Sequence, residues 1–144
     1  MTTTSHIVDV LGGKTTLKKK VSTATQLTET IREGLPYASL EVLLAKLGIA
    51  RSEAAVALNL PERTLARRQK EKRLKPDESD KVLRLARLFS LARTVLETEE
   101  NASKWFAQPN RGLTGKTPLA MIDTEVGARE VEEALWRIAH GIFS

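Results

Sequence analysis

From Ser39 onward the apolar residues of this chain recur at helical intervals. Leu40, Leu43, Leu44 and Leu47 follow the i, i+3, i+4, i+7 spacing of a buried stripe, Ser39 is placed to cap it, and Gly48 ends it. Two shorter segments, Ser52 to Leu58 and Pro61 to about Lys72, follow with only Asn59-Leu60 between them. A longer helix is predicted from Pro76, where Asp77, Glu78 and Asp80 suit the positive end of the dipole. Its Val82, Leu85, Ala86 and Phe89 adjoin a second stripe of Leu88, Leu91, Ala92 and Val95. A helix apolar on two sides predicts a spine between two modules.

Upstream, a short helix is predicted over Thr25 to Glu33, with Leu27 and Ile31 on one face and Gly34-Leu35-Pro36 as its stop. Residues 1–22, with Gly12-Gly13 and the run Lys18-Lys19-Lys20, read as an arm that is flexible at least in part. Downstream, a short helix carries Trp105 and Phe106, Pro109 to Thr117 reads as a loop, and Pro118 restarts helix. Asp123 or Thr124 caps a final helix whose apolar face is Val131, Ala134, Leu135 and Ile138. Gly141 permits a left-handed stop and leaves Ile142, Phe143 and Ser144 as a short apolar tail. The predicted class is all-α.

Composition narrows the function. The 144 residues are 41% hydrophobic and 4% aromatic, rich in good helix formers, and long enough for about two small modules packed together. The net charge is +5, unevenly spread: residues 46–93 hold thirteen Lys and Arg against six Asp and Glu, whereas residues 94–144 hold five against eight. A polyanion partner is expected for the middle and a different partner for the end. The absence of cysteine removes disulfides, thiolate metal sites and cysteine nucleophiles, and His6 and His140 stand too far apart to suggest a local metal pair. No nucleophile-base-carboxylate set or phosphate-cradling glycine loop is visible, so neither enzyme chemistry nor a cofactor is expected. With no apolar run near the ~20 residues of a membrane span and no leader pattern, a soluble cytoplasmic protein is expected.

The middle helices match a helix-turn-helix in residue type and interval. Ala55 is small where two helices would approach, and Asn59, four residues on, suits a left-handed turn. Leu60 and Leu65 anchor the second helix, leaving Glu62, Arg63, Ala66, Arg67 and Lys70 on the face that such motifs lay in the major groove. Arg63 and Arg67 are four apart, so a guanidinium fork can meet a guanine O6/N7 edge. Thr64, Arg68, Lys72 and Arg73 are placed for phosphates. A helical hairpin with a merely basic exterior remains the competing reading, and RNA is disfavoured by the lack of aromatic stacking platforms.

Four of the six aromatic residues, Trp105, Phe106, Trp136 and Phe143, lie in the acidic C-terminal third. Trp105 and Trp136 fit core packing, but Phe143 stands beyond the helix-ending glycine, where an interface is the alternative. The layout Trp105-Phe106-Ala107-Gln108-Pro109-Asn110, a glycine-bearing loop, Thr117-Pro118-Leu119, then Asp123-Thr124-Glu125 opening a helix resembles the toxin-binding domain of the Xre/MbcA/ParS antitoxin family. Pro61-Glu62-Arg63-Thr64-Leu65-Ala66-Arg67-Arg68 resembles that family's DNA-reading helix, so the resemblance spans roughly Ser39 to Ser144. It implies an antitoxin that covers the substrate entrance of a RES-domain, NAD-degrading toxin and represses its own operon on double-stranded operator DNA. The matching positions are Asp123-Thr124-Glu125, Gly127-Ala128-Arg129, Val131-Glu132, Arg137-Ile138, His140-Gly141 and Phe143; Trp136, Ile142 and Ser144 join them as candidate toxin contacts. One departure is Leu113-Thr114-Gly115, where the family more often has two glycines and where Thr114 is expected to resist a positive φ.

The expected organisation is therefore an arm and short helix over 1–38, a helix-turn-helix region over 39–98 and a toxin-binding domain over 99–144. Two-fold operators predict a homodimer within a larger toxin-antitoxin complex, with Thr25 to Leu44 as its interface. The alternatives are an ordinary helix-turn-helix regulator whose C-terminal module dimerises or binds another protein, and an interaction protein that no longer binds DNA.

Overall fold

The structure, a computed structural model, describes residues 3–141; the expectations for Ile142, Phe143 and Ser144 fall outside the described residues. Among those described it is all-α, with no strand beyond an isolated antiparallel bridge between Pro36 and Arg73. In chain order the helices are α1 Thr4–Val10, α2 Gly13–Leu17, α3 Ala24–Glu33, α4 Tyr37–Leu47, α5 Arg51–Leu58, α6 Glu62–Glu71, α7 Pro76–Leu96, α8 Glu99–Ala107, α9 Pro118–Met121 and α10 Glu125–Ala139. A single 3-10 turn, Arg111–Leu113, lies between α8 and α9.

Local chemistry sets most of the boundaries. Thr23 and Gln26 form a capping box at α3, each side chain accepting the other's backbone N–H. Thr124 caps α10, its Oγ1 accepting from the Gly127 amide at 3.0 Å. Pro76 occupies the first turn of α7, and the Glu78 carboxylate accepts the Lys75 amide at 2.8 Å. The α4 start differs from expectation. Pro36 takes the cap position and Ser39 is fully buried in the helix, so this end is held instead by the Tyr37 amide donating to the Lys72 carbonyl at 3.1 Å.

One continuous core runs through the molecule, and α7 is its axis. Val82, Leu85, Ala86, Leu88, Phe89, Leu91 and Ala92 are all buried, because α10, α8, α5, α4, α3 and α1 each pack against α7. The N-terminal arm is accordingly folded. Ile7, Val8, Val10, Leu11 and Leu17 are buried, and Asp9 pairs with Arg93 at 2.7 Å, which corrects the expectation of a flexible arm. The proposed dimer stripe is corrected too: Leu27 and Ile31 are covered by α7 of the same chain, and Leu40, Leu43 and Leu44 are buried. A stripe already used for the core is not available to a second copy.

Candidate nucleic-acid interface and partner-binding helix

The α5–α6 pair has the turn its sequence predicts. Asn59 ends α5 in the left-handed region (φ 53), and the Leu60 amide donates back to the Ala55 carbonyl at 2.9 Å. Ala54, Ala55 and Ala57 are buried where the helices meet, and Leu65 has no exposed surface. That burial leaves Glu62, Arg63, Arg67 and Lys70 exposed on one side of α6, with Thr64 and Ala66 half-buried at its edges. Arg63, Arg67 and Lys70 form no salt bridge among the described residues.

Arg68 is placed differently from the expectation of a phosphate contact. It is 6% exposed, and its Nε donates to Glu78 Oε1 at 2.7 Å while Nη1 reaches Glu71 Oε1 at 3.0 Å. The physical reason is geometric: Arg68 lies three residues after Leu65, on the same side of α6, so it follows that leucine into the interior. Burial alone pushes the Glu78 carboxyl up, but the hydrogen bonds from Arg68 and the Lys75 amide and the nearby charges outweigh it and hold Glu78 below the ordinary 4.5. Arg73 is exposed, yet its Nη1 donates to the Gly34 carbonyl at 2.6 Å. Lys72 is exposed at the end of α6 in the left-handed region (φ 66). Gly34 is required in this corner: its φ is 94, and a Cβ there would lie 2.2 Å from the Leu74 carbonyl oxygen.

The C-terminal helix turns Gly127, Ala128, Val131, Ala134 and Leu135 inward onto α7. Gly127 sits at the tightest contact, where a Cβ would stand 1.7 Å from the Met121 carbonyl oxygen. On the outer side Arg129 is exposed and lies 3.6 Å from Glu125, Arg137 is half-buried, and His140 is exposed with its ring stacked on Trp136 at 5.7 Å. Trp136 is half-buried against the core edge. Trp136, Arg137 and His140 therefore gather at one end of α10. Asp123 lies at the opposite end, about 21 Å away by helical rise, in a shallow groove with Val56, Asn59 and Glu62 beside the α5–α6 turn. Thr114 adopts the positive φ it was expected to resist (φ 56), with its hydroxyl donating to the Leu113 carbonyl and Asn110 closing the loop through the Gly112 and Gly115 amides.

Sequence reasoning missed Arg84 and Arg87. Both lie on α7, where Arg87 pairs with Glu132 at 2.8 Å and Arg84 with Glu125 at 3.4 Å, the latter also donating to the Ile122 carbonyl. Lys46, Arg68 and Arg93 are paired as well. Part of the positive excess of the middle segment thus meets acids of the same chain, α10 included. The available signal was the spacing of Glu125 and Glu132, two turns apart on one face of a helix, against Arg84 and Arg87 on one side of another.

Comparison with known proteins gives consistent matches in both halves. Residues 26–87 match the antitoxin Xre-like helix-turn-helix domain, and residues 91–141 match the antitoxin Xre/MbcA/ParS C-terminal toxin-binding domain. The chain is 30% identical over 125 residues to an antitoxin Xre of Yersinia enterocolitica, covering 85% of this chain and 84% of that one. It is 36% identical over 83 residues to an antitoxin Xre of Pseudomonas putida, covering 57% and 52%. In fold it is similar, at 20% identity and a TM-score of 0.55, to a chain in the crystal structure of the M. tuberculosis MbcT-MbcA toxin-antitoxin complex, over 75% of this chain and 96% of that one.

Proposed function

Because this chain belongs to the Xre/MbcA/ParS antitoxin family, we propose that it neutralises a RES-domain, NAD-degrading toxin by covering that enzyme's substrate entrance, and that it represses its own operon through α6. The observation that carries this reading is the division of labour around α7. One side presents the cations Arg63, Arg67 and Lys70 of the helix-turn-helix, unpaired among the described residues, and another holds α10 of the toxin-binding domain with Trp136, Arg137 and His140 near its C-terminal end.

On the DNA side, Arg63 and Arg67 read base edges from the major groove, Glu62 and Lys70 flank them, and Thr64, Lys72 and Arg73 serve phosphates. Arg68 is left out of this set, since its guanidinium is committed to Glu78. On the toxin side, Arg129, Arg137 and His140 supply polar contacts along the approach, and Ile142, Phe143 and Ser144 block the entrance sterically; Asp123 contributes from the far end of α10. Burying Ile142 and Phe143 contributes on the order of 1.5–3 kcal/mol each. The assembly on DNA is two-fold.

The test is NAD content in cells co-expressing the toxin with either the full-length chain or a variant lacking residues 141–144. NAD is preserved by the first and lost with the second, while operator binding by the truncated chain is unchanged. Equal protection by both overturns the role of the tail, and protection by neither turns the reading to a plain transcriptional regulator.

A further inference from the structure

The reading helix opens with a carboxylate. Glu62 is the first residue of α6, directly after Pro61, and Arg63, Arg67 and Lys70 follow it as exposed side chains. Glu62 is itself exposed and forms no salt bridge among the described residues. Its own helix supplies no counter-ion, because the positions three and four residues on, where a partner would face it, hold Leu65, which is buried, and Ala66. The other carboxylate of α6, Glu71, is paired with Arg68.

The surroundings supply no counter-ion either. Glu62 shares one groove with Asp123, a like charge, and another with Arg51, whose Nη1 donates instead to Gln69 Oε1 at 2.7 Å. The helix dipole favours a carboxylate in a first turn, but nothing in that effect requires one on the surface that meets DNA. There a carboxylate is repelled by phosphates, so it lowers affinity for every duplex unless a donor on a base meets it.

From this we infer that Glu62 is a specificity-determining residue of the reading helix, accepting a hydrogen bond from the N4 amino group of a cytosine in the major groove. The inference rests on the helix-turn-helix reading above and goes beyond it in naming the base. Helix-turn-helix motifs bring the N-terminal residues of the second helix against base edges, and Glu62 stands at that end, one residue before Arg63. The base follows from the donors on offer. An ionised carboxylate can only accept. In the major groove guanine presents two acceptors, thymine an acceptor and a methyl group, and adenine an acceptor beside its amino group, whereas cytosine presents its N4 amino group alone. Arg63 and Arg67 suit the acceptors of guanine, so the carboxylate and the guanidinium groups demand different bases.

The experiment is selection of duplexes from a sequence-randomised pool by the full-length chain and by its Glu62→Ala and Glu62→Gln variants, followed by fluorescence anisotropy on the selected duplex. The unaltered chain is expected to select a cytosine at one position whose preference survives in Arg63→Ala and in Arg67→Ala. Glu62→Ala loses the preference at that position alone, and Glu62→Gln changes it to adenine, whose N6 and N7 a carboxamide meets in bidentate fashion. Replacing that C·G pair weakens the unaltered chain roughly 5- to 150-fold and leaves Glu62→Ala unaffected. On a scrambled duplex Glu62→Ala binds at least as tightly as the unaltered chain, since a repulsion has been removed. Glu62→Gln keeps the shape of the side chain and decides the question should Glu62→Ala fail to fold. Selection of the same sequence by the unaltered chain and both variants overturns the inference, as does a base other than cytosine at the position where they differ, or weaker binding of Glu62→Ala to the scrambled duplex. Should the unaltered chain enrich no sequence, or a chain with both Arg63→Ala and Arg67→Ala enrich the same sequence as the unaltered one, the helix-turn-helix reading fails and takes this one with it.

Discussion

Replacing Glu78 with Ala strands a buried guanidinium. Arg68 and Glu78 have side chains 7% and 5% exposed and meet at 2.7 Å, linking α6 to the first turn of α7. Breaking a buried pair by removing one partner costs roughly 3–5 kcal/mol, because the remaining charge keeps its desolvation penalty. Glu71 still reaches Arg68 at 3.0 Å from a half-exposed position, which places the charge effect near the lower end of that range. Loss of the Glu78 bond to the Lys75 amide adds about 1 kcal/mol. The sum, roughly 4 kcal/mol, is measurable against the 5–15 kcal/mol typical of a domain. Glu78→Gln keeps an acceptor and should cost less, and Arg68→Met with Glu78→Leu, which removes both charges, should lie within about 1 kcal/mol of the unaltered chain. The assay is urea unfolding followed by circular dichroism at pH 7. A cost below about 1 kcal/mol for Glu78→Ala, or a double variant as unstable as the single, would refute the argument. The pH dependence has a fixed sign. Glu78 has a depressed folded-state pKa, so its contribution is complete above the ordinary 4.5 and is lost as pH falls through the folded value. Glu78→Gln should therefore be less sensitive to acid than the unaltered chain.

Arg63→Ala and Arg67→Ala should each weaken operator binding by ~1–3 kcal/mol and relax sequence preference if the side chain makes a bidentate base contact; unchanged affinity in the double variant, with helicity intact, would move the reading face elsewhere. Gly127→Ala forces a Cβ into the Met121 carbonyl and should destabilise by about 1–3 kcal/mol or more, read as a lower urea midpoint, with wild-type stability contradicting the close approach. Arg87→Met breaks a half-exposed pair with Glu132 and should cost at most about 1 kcal/mol; a larger loss of thermal stability would mean that this pair, rather than apolar burial, holds α10 on the spine.

Much of this protein is determined by interactions within four residues along the chain, and those were legible in its sequence. The stripe from Leu40 to Leu47, the two-sided apolar pattern of α7, the Thr124 cap, the left-handed Asn59 and the glycine stop at 141 are all set by helical periodicity and by local hydrogen bonding. The exposed positions of Arg63, Arg67 and Lys70 follow from the same periodicity once Leu65 is buried. Non-local packing decided the remainder. Periodicity puts Arg68, unlike its neighbour Arg67, on the Leu65 side of α6, but the carboxylate that makes it an interior ion pair comes from Glu78 of α7. The N-terminal arm looked polar and glycine-broken, yet α7 offers apolar surface that Ile7, Val10 and Leu11 can cover, and burial outweighs weak local propensity. Leu27 and Ile31 have no apolar partner near them in sequence, and that same surface of α7 supplies one. Regional charge likewise suggested two external partners, whereas tertiary folding set α10 carboxylates against α7 guanidiniums and left a smaller cationic surface facing outward. Periodicity states which side of a helix is apolar, but what covers that side depends on contacts between residues distant in sequence, which composition and spacing do not encode.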